Sequence, residues 1–124
     1  MDSPSHTVLV VDDDASIRFL CRVNLELEGW AVREAGTIAE ARDEIAGADV
    51  VLLDVHVGSA SGLDFLAEIR SEHPGLPVAM LTGSVGWPTL DGVATDAVIP
   101  KPFTLEQLIE TVRRLAPRPA HRAG

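Results

Sequence analysis

The sequence predicts a doubly wound α/β domain, and three observations predict it. Short β-branched runs recur along the chain, and amphipathic stretches of helical spacing lie between them. The runs lack polar alternation, as strands buried on both faces of a parallel sheet do. Three of them end on a reactive polar residue: Val8–Val11 leads into Asp12, Asp13 and Asp14, Val50–Leu53 into Asp54, and Val78–Leu81 into Thr82. A weaker run, Ala97–Ile99, leads through Pro100 to Lys101.

Each element has a local reason. The first strand spans 7–11. Asp14 or Ser16 then caps a helix to about Glu28, where Gly29 stops it. A second strand spans 30–34. Thr37 and Glu40 form a capping-box pattern, and the helix behind it carries Ile38, Ala41 and Ile45 on one face and ends at Gly47. The third strand spans 49–53. A loop with Gly58, Ser59, Ser61 and Gly62 follows, and Leu63, Leu66 and Ile69 mark a third helix that stops near His73 and Pro74. The fourth strand spans 78–81. Residues 83–95 contain Gly83, Gly86, Pro88 and Gly92, all poor in a helix interior, so this stretch reads as a mobile loop or one short turn. The fifth strand spans 97–99. Thr104 opens a last helix with a second capping-box pattern, and its stripe is Leu105, Leu108, Ile109, Val112 and Leu115. Residues 1–6 and 117–124 carry no pattern and are expected to be mobile tails around one domain of residues 7–116.

Composition narrows the function. The chain has 124 residues, which fits one domain, and 46% of them are apolar, enough for a core without staples. Aromatic residues are 4% of the chain and tyrosine is absent, so aliphatic side chains must fill that core. The net charge of −9 argues against direct nucleic-acid binding, which relies on Lys and Arg at phosphates. The single cysteine, Cys21, reads as a small buried hydrophobe rather than a redox sensor. No stretch approaches the length of a membrane helix, and a polar, acidic N-terminus is unlike a signal peptide. The expected location is the cytoplasm.

Ligand sites in open parallel sheets lie beyond the carboxyl ends of the strands. The predicted order therefore gathers Asp12, Asp13, Asp54, Thr82 and Lys101 on one rim. Crowded carboxylates raise one another's pKa unless a cation is present, and Mg²⁺ takes oxygen ligands and keeps open positions for a phosphoryl oxygen. Asp54, alone at the end of the most apolar run, is the candidate nucleophile for an acyl phosphate. Lys101 and Thr82 offer an ammonium and a hydroxyl to the transferred group, whose transfer depends on positioning and charge stabilisation.

These motifs resemble the receiver domain of two-component response regulators over roughly residues 7–116. The pieces are Val-Leu-Val-Val-Asp12-Asp13-Asp14, Val-Leu-Leu-Asp54 with Gly62 eight residues on, Leu-Thr82-Gly83, and Lys101-Pro102-Phe103. The resemblance implies a flavodoxin-like five-stranded sheet of order 2-1-3-4-5, with the fourth helix short or disordered. It implies that Asp12, Asp13, Asp54 and the backbone carbonyl of His56 hold Mg²⁺, and that Asp54 accepts a phosphoryl group from a histidine kinase or a phosphotransfer protein. Thr82 then binds that group and moves with it, Lys101 pairs with it, and the Lys101–Pro102 bond is cis. Such a protein is a regulator that catalyses only its own phosphorylation and dephosphorylation.

Some positions depart from the pattern. Val57-Gly58 replaces the usual Met-Pro, which implies a more flexible loop. Val98 replaces the aromatic switch residue, and the fourth helix is degraded. Trp87, beside Pro88, is a candidate partner anchor together with Val98. The resemblance implies that His56 and Ser84 flank the path of the attacking water and tune the lifetime of the phosphoryl group. The expected function is a phosphorylation-dependent switch, a stand-alone receiver acting on a downstream protein target, with homodimer formation an open alternative. The competing reading is a pseudo-receiver, an interaction module that is never phosphorylated. A Mg²⁺-dependent aspartyl phosphatase fits less well, because the first run lacks Asp-x-Asp-x-Thr and the chain has no room for a cap domain. Flavin binding lacks a phosphate-cradling loop after the first strand.

Overall fold

The computed structural model describes residues 6–83 and 95–116. In chain order the elements are β1 (Thr7–Val11), α1 (Ala15–Leu27), β2 (Ala31–Ala35), α2 (Ile38–Glu44) with a 3₁₀ turn (Ile45–Gly47), β3 (Val50–Asp54), β4 (His56–Val57), β5 (Ala60–Ser61), α3 (Gly62–Glu72), β6 (Val78–Thr82), β7 (Ala97–Pro100) and α4 (Leu105–Leu115). Five strands form one parallel sheet in the order β2-β1-β3-β6-β7. This is the 2-1-3-4-5 order the resemblance implies, with the central strands β1 and β3 side by side.

Alternation along the strands splits the core into two layers. Leu9, Val11, Val51, Leu53, Val78 and Met80 pack with Ala41, Ile45, Phe65, Leu66 and Ile69 of the α2–α3 side. Val8, Val10, Val50, Leu52, Ala79, Leu81 and Ile99 pack with Cys21, Leu25, Leu108 and Val112 of the α1–α4 side. The central strands are buried on both faces, which explains their unbroken apolar runs. The edge strand β2 alternates instead, with every second residue exposed until Ala35.

Caps set the helix starts. Asp14 caps α1, its carboxylate accepting from the N–H groups of Ser16 and Ile17. Gly29, at φ +98°, follows its end, a backbone conformation that favours glycine. Thr37 caps α2 through Glu40 N–H, but Glu40 Oε1 accepts from Gly36 N–H at 2.7 Å and not from the cap residue. The box at α4 is complete, Thr104 and Gln107 each bonding the other's backbone.

Several boundaries differ from the sequence expectation. Strand β2 starts at Ala31, because Trp30 N–H still closes α1 by donating to Leu25 O. Strands β3 and β6 extend by one residue, because Asp54 itself pairs with Leu81 and Thr82 with Pro100. The segment after Asp54 is not a plain loop: His56–Val57 and Ala60–Ser61 form a small antiparallel hairpin about Gly58. Leu105 is exposed despite its place in the expected stripe, since it lies in the first turn of α4, and Thr111 is buried instead. The expected mobile segment 83–95 falls, apart from Gly83 and Thr95, outside the described residues, as do residues 1–5 and 117–124 of the expected tails.

Candidate functional site

The register brings the acids together. Val11 lies opposite Leu53, so Asp12 and Asp54 follow on neighbouring strands at the same level. Ligand atoms of Asp12, Asp13 and Asp54 lie within 4.8 Å of one another. Lys101, two residues past Ile99, comes in from β7. Its Nζ donates to Asp12 Oδ2 at 2.8 Å and to Asp54 Oδ2 at 3.2 Å. The Lys101–Pro102 bond is cis, as the resemblance implies.

Burial differs sharply among the acids. Asp12 is fully buried, Asp54 is 8% exposed, and Asp13 is exposed. A buried carboxylate needs partners, and Asp12 has them: Oδ1 accepts from Asp14 N–H at 2.9 Å and Oδ2 from Lys101. Asp54 Oδ1 accepts weakly from His56 N–H at 3.4 Å. Asp13 Oδ2 accepts from Gly58 N–H at 3.1 Å, so the hairpin is tied to the site.

Burial, and then the neighbouring Asp12 charge, push the Asp54 carboxyl above its ordinary range, against the opposing pull of Lys101 and His56 N–H. Burial works against the charged Lys101, yet its hydrogen bonds and attraction to Asp12 and Asp54 hold its pKa above the usual lysine value. Ionised, the three carboxylates face one ammonium, which leaves two negative charges to be offset. An all-oxygen donor set of that charge fits a hard divalent cation such as Mg²⁺.

Thr82 ends β6 one residue beyond Leu81, the register partner of Asp54, is buried, and accepts from Lys101 N–H through its main-chain oxygen at 2.7 Å. Gly62 lies against the end of β3: a Cβ there would come within 1.9 Å of Asp54 O, so only glycine fits. His56 is exposed on the hairpin beside the acids. Val98 is half-buried in β7 against the α2–α3 layer. Ser84 and Trp87 lie outside the described residues. Cys21 is buried in the α1–α4 core, where burial pushes its thiol up to about 12, as an inert structural cysteine requires.

Sequence reading missed two supports. Arg18 Nη1 donates to the main-chain oxygen of Asp12 at 2.7 Å while its Nε pairs with Glu34 at 3.0 Å. The outer face of α1 is apolar: Phe19, Leu20, Val23 and Leu27 are exposed. The helical spacing of these four was the available signal.

Residues 8–113 match the family described as the response regulator receiver domain. The probable transcriptional regulatory protein TcrX of Mycobacterium tuberculosis is 39% identical over 127 aligned residues, covering 94% of this chain and 52% of TcrX. The response regulator MprA of a Mycobacterium species is 38% identical over 117 residues, covering 90% of this chain and 50% of MprA. The chain thus spans about half the length of these relatives. A CheY-like receiver domain protein from Methanospirillum hungatei superposes with a TM-score of 0.83 at 27% identity, covering 90% of this chain and 93% of that one. The receiver domain of NtrX from Brucella abortus gives 0.81 at 33% identity, covering 87% and 96%. With the sheet order, the acid cluster and the matched residues in agreement, the chain belongs to the response regulator receiver domains of two-component systems.

Proposed function

We propose that residues 7–116 act as a phosphorylation switch in which Asp54 accepts a phosphoryl group from a histidine kinase or a phosphotransfer protein. The observation that carries this reading is the convergence of Asp12, Asp13 and Asp54 within 4.8 Å, with Lys101 Nζ bound to two of them. Asp12, Asp13 and Asp54 would hold Mg²⁺, with the His56 carbonyl as a further ligand. The ion, when bound, supplies charge that offsets the carboxylates and the incoming phosphoryl oxygens. A carboxylate oxygen of Asp54 attacks phosphorus, the donor imidazole leaves, and Asp54 carries the acyl phosphate. Lys101 then turns from the two carboxylates to the new phosphoryl oxygens, and Thr82 donates its hydroxyl to another. His56 and Ser84 tune the lifetime of the acyl phosphate, and Val98 and Trp87 take part in reporting it to a partner.

The phosphodonor docks on α1. Phe19, Leu20, Val23 and Leu27 form one stripe of that helix, Phe19 59% and Leu27 78% exposed, and α1 starts directly after the acids. Monomeric proteins seldom leave such a stripe uncovered without a partner for it.

The test is incubation with acetyl phosphate and Mg²⁺, read by intact mass. The expected result is a gain of one phosphoryl group in the wild type and none in Asp54→Asn. Absence of label in the wild type would favour the pseudo-receiver reading, and label in Asp54→Asn would move the acceptor elsewhere.

A further inference from the structure

We infer that Arg18 is a positioning residue for the acidic site, acting on the peptide unit that joins Asp12 to Asp13. The inference rests on the phosphoacceptor reading through its use of a divalent cation. Arg18 Nη1 donates to Asp12 O at 2.7 Å. That carbonyl belongs to the rigid plane between the two acids. Rotating this plane changes ψ of Asp12 and φ of Asp13, and so swings the Asp13 side chain away from its neighbours.

The Asp12 carboxylate does not depend on this contact, because Asp14 N–H and Lys101 already hold both its oxygens. Asp13 does. It is exposed, and among the described residues its side chain is tied by Gly58 N–H at 3.1 Å, on a small hairpin. The bond at the Asp12 carbonyl is what sets the direction from which Asp13 enters the site.

Arg18 is itself held on two sides. Its Nε donates to Glu34 Oε1 at 3.0 Å, and Arg22 holds Glu34 Oε2 at 3.0 Å. Its side chain is 20% exposed. Gly36 leaves the space it occupies, since a Cβ at that position would come within 2.9 Å of Arg18 Nη1. The guanidinium thus joins the end of β1, the first turns of α1 and the end of β2. Glu34, shared by Arg18 and Arg22, also offsets one of two fixed positive charges that would otherwise repel a divalent ion more strongly. The two simultaneous contacts need the forked donor set of arginine; an ammonium is a point donor.

The test is Mg²⁺ titration by calorimetry, with unfolding midpoints taken in EDTA, on wild type, Arg18→Ala, Arg18→Lys and Glu34→Gln. Arg18→Ala is expected to raise the Mg²⁺ Kd about tenfold, the scale of losing an outer support of a metal ligand. Arg18→Lys recovers part of that loss, because one ammonium can still donate to the Asp12 carbonyl. Glu34→Gln weakens binding by leaving the guanidinium uncompensated. A merely structural Arg18 would lower the midpoint in EDTA and leave the Mg²⁺ Kd unchanged, which overturns the inference. If Arg18→Ala does not fold, unchanged Mg²⁺ affinity in both Arg18→Lys and Glu34→Gln overturns it. A wild type that binds no Mg²⁺ removes this inference together with the phosphoacceptor reading. A wild type that binds the ion, with variants that bind it equally well, removes this inference alone.

Discussion

Asp54 carries its charge where burial and the Asp12 carboxylate both oppose it. A raised carboxyl pKa in the folded state means that the native protein binds the proton more tightly than the unfolded chain does. Ionisation at neutral pH therefore costs stability, and the cost fades as pH falls through the folded pKa. Asp54→Asn removes that charge with little change in shape. It is expected to raise the thermal midpoint at pH 7 without metal, and the gain should shrink at pH 4; equal midpoints at pH 7 would contradict the direction of the shift. Lys101 has the opposite role, as the cation that makes Asp12 tolerable in the core. Lys101→Ala is expected to lower the unfolding free energy by about 2–3 kcal/mol in EDTA, somewhat less than breaking a wholly buried pair, because its side chain is 22% exposed. Added Mg²⁺ should restore more stability to this variant than it adds to the wild type, a difference that paired thermal melts would show. The identities of Asp12, Asp13, Asp54, Thr82 and Lys101 were legible in the sequence because each ends an apolar run. The complete burial of Asp12 was not, since it depends on Lys101, 89 residues away. Arg18 was hidden for a similar reason: one of two arginines on an amphipathic helix gives no sign that it reaches back to a carbonyl six residues earlier.

At the scale of the element, periodicity and caps fixed the kind and order of strands and helices, and the errors lie where pairing decides. Asp54 and Thr82 belong to strands because neighbours accept them into the ladder, a fact no local pattern carries. The hairpin of β4 and β5 is too short for alternation to announce it, and its Gly58 read as a flexible position although its N–H is tied to Asp13. Gly62 is the sharper case. It reads as part of the loop before the third helix, yet it opens α3, close against the main chain of Asp54 in β3. Gly62→Ala must displace the Asp54 carbonyl and is expected to cost about 3 kcal/mol or more, the upper range for overpacking. Urea midpoints would measure this, and a loss as small as that of an exposed substitution would contradict the close approach. Thr104→Ala, which removes one half of the α4 capping box, should cost about 1 kcal/mol in the same assay and leave Mg²⁺ binding untouched.

For the whole molecule, the two-layer architecture was readable from the runs and stripes, because a sheet covered on both faces needs apolar residues on both. Which helix surface stays open was not readable, because the same apolar residues serve a core and an interface. Among the described residues, the exposed large hydrophobics are Leu105 and the four on α1. Replacing Phe19 and Leu20 by Ser is expected to slow phosphotransfer from the partner kinase at least about tenfold, the loss of about 1.4 kcal/mol of docking energy. Labelling by acetyl phosphate, which needs no docking surface, should stay at the wild-type rate. Equal slowing with both donors would place the defect in the acidic site instead.

The ammonium that completes the acid cluster arrives from the far edge of the sheet, late in the chain. A ribosome that has released only the first three strands has made every carboxylate and no counter-ion for them. The charge-balanced acid cluster is thus a property of the finished domain and of no fragment, and any ion that settles there favours the completed fold by mass action.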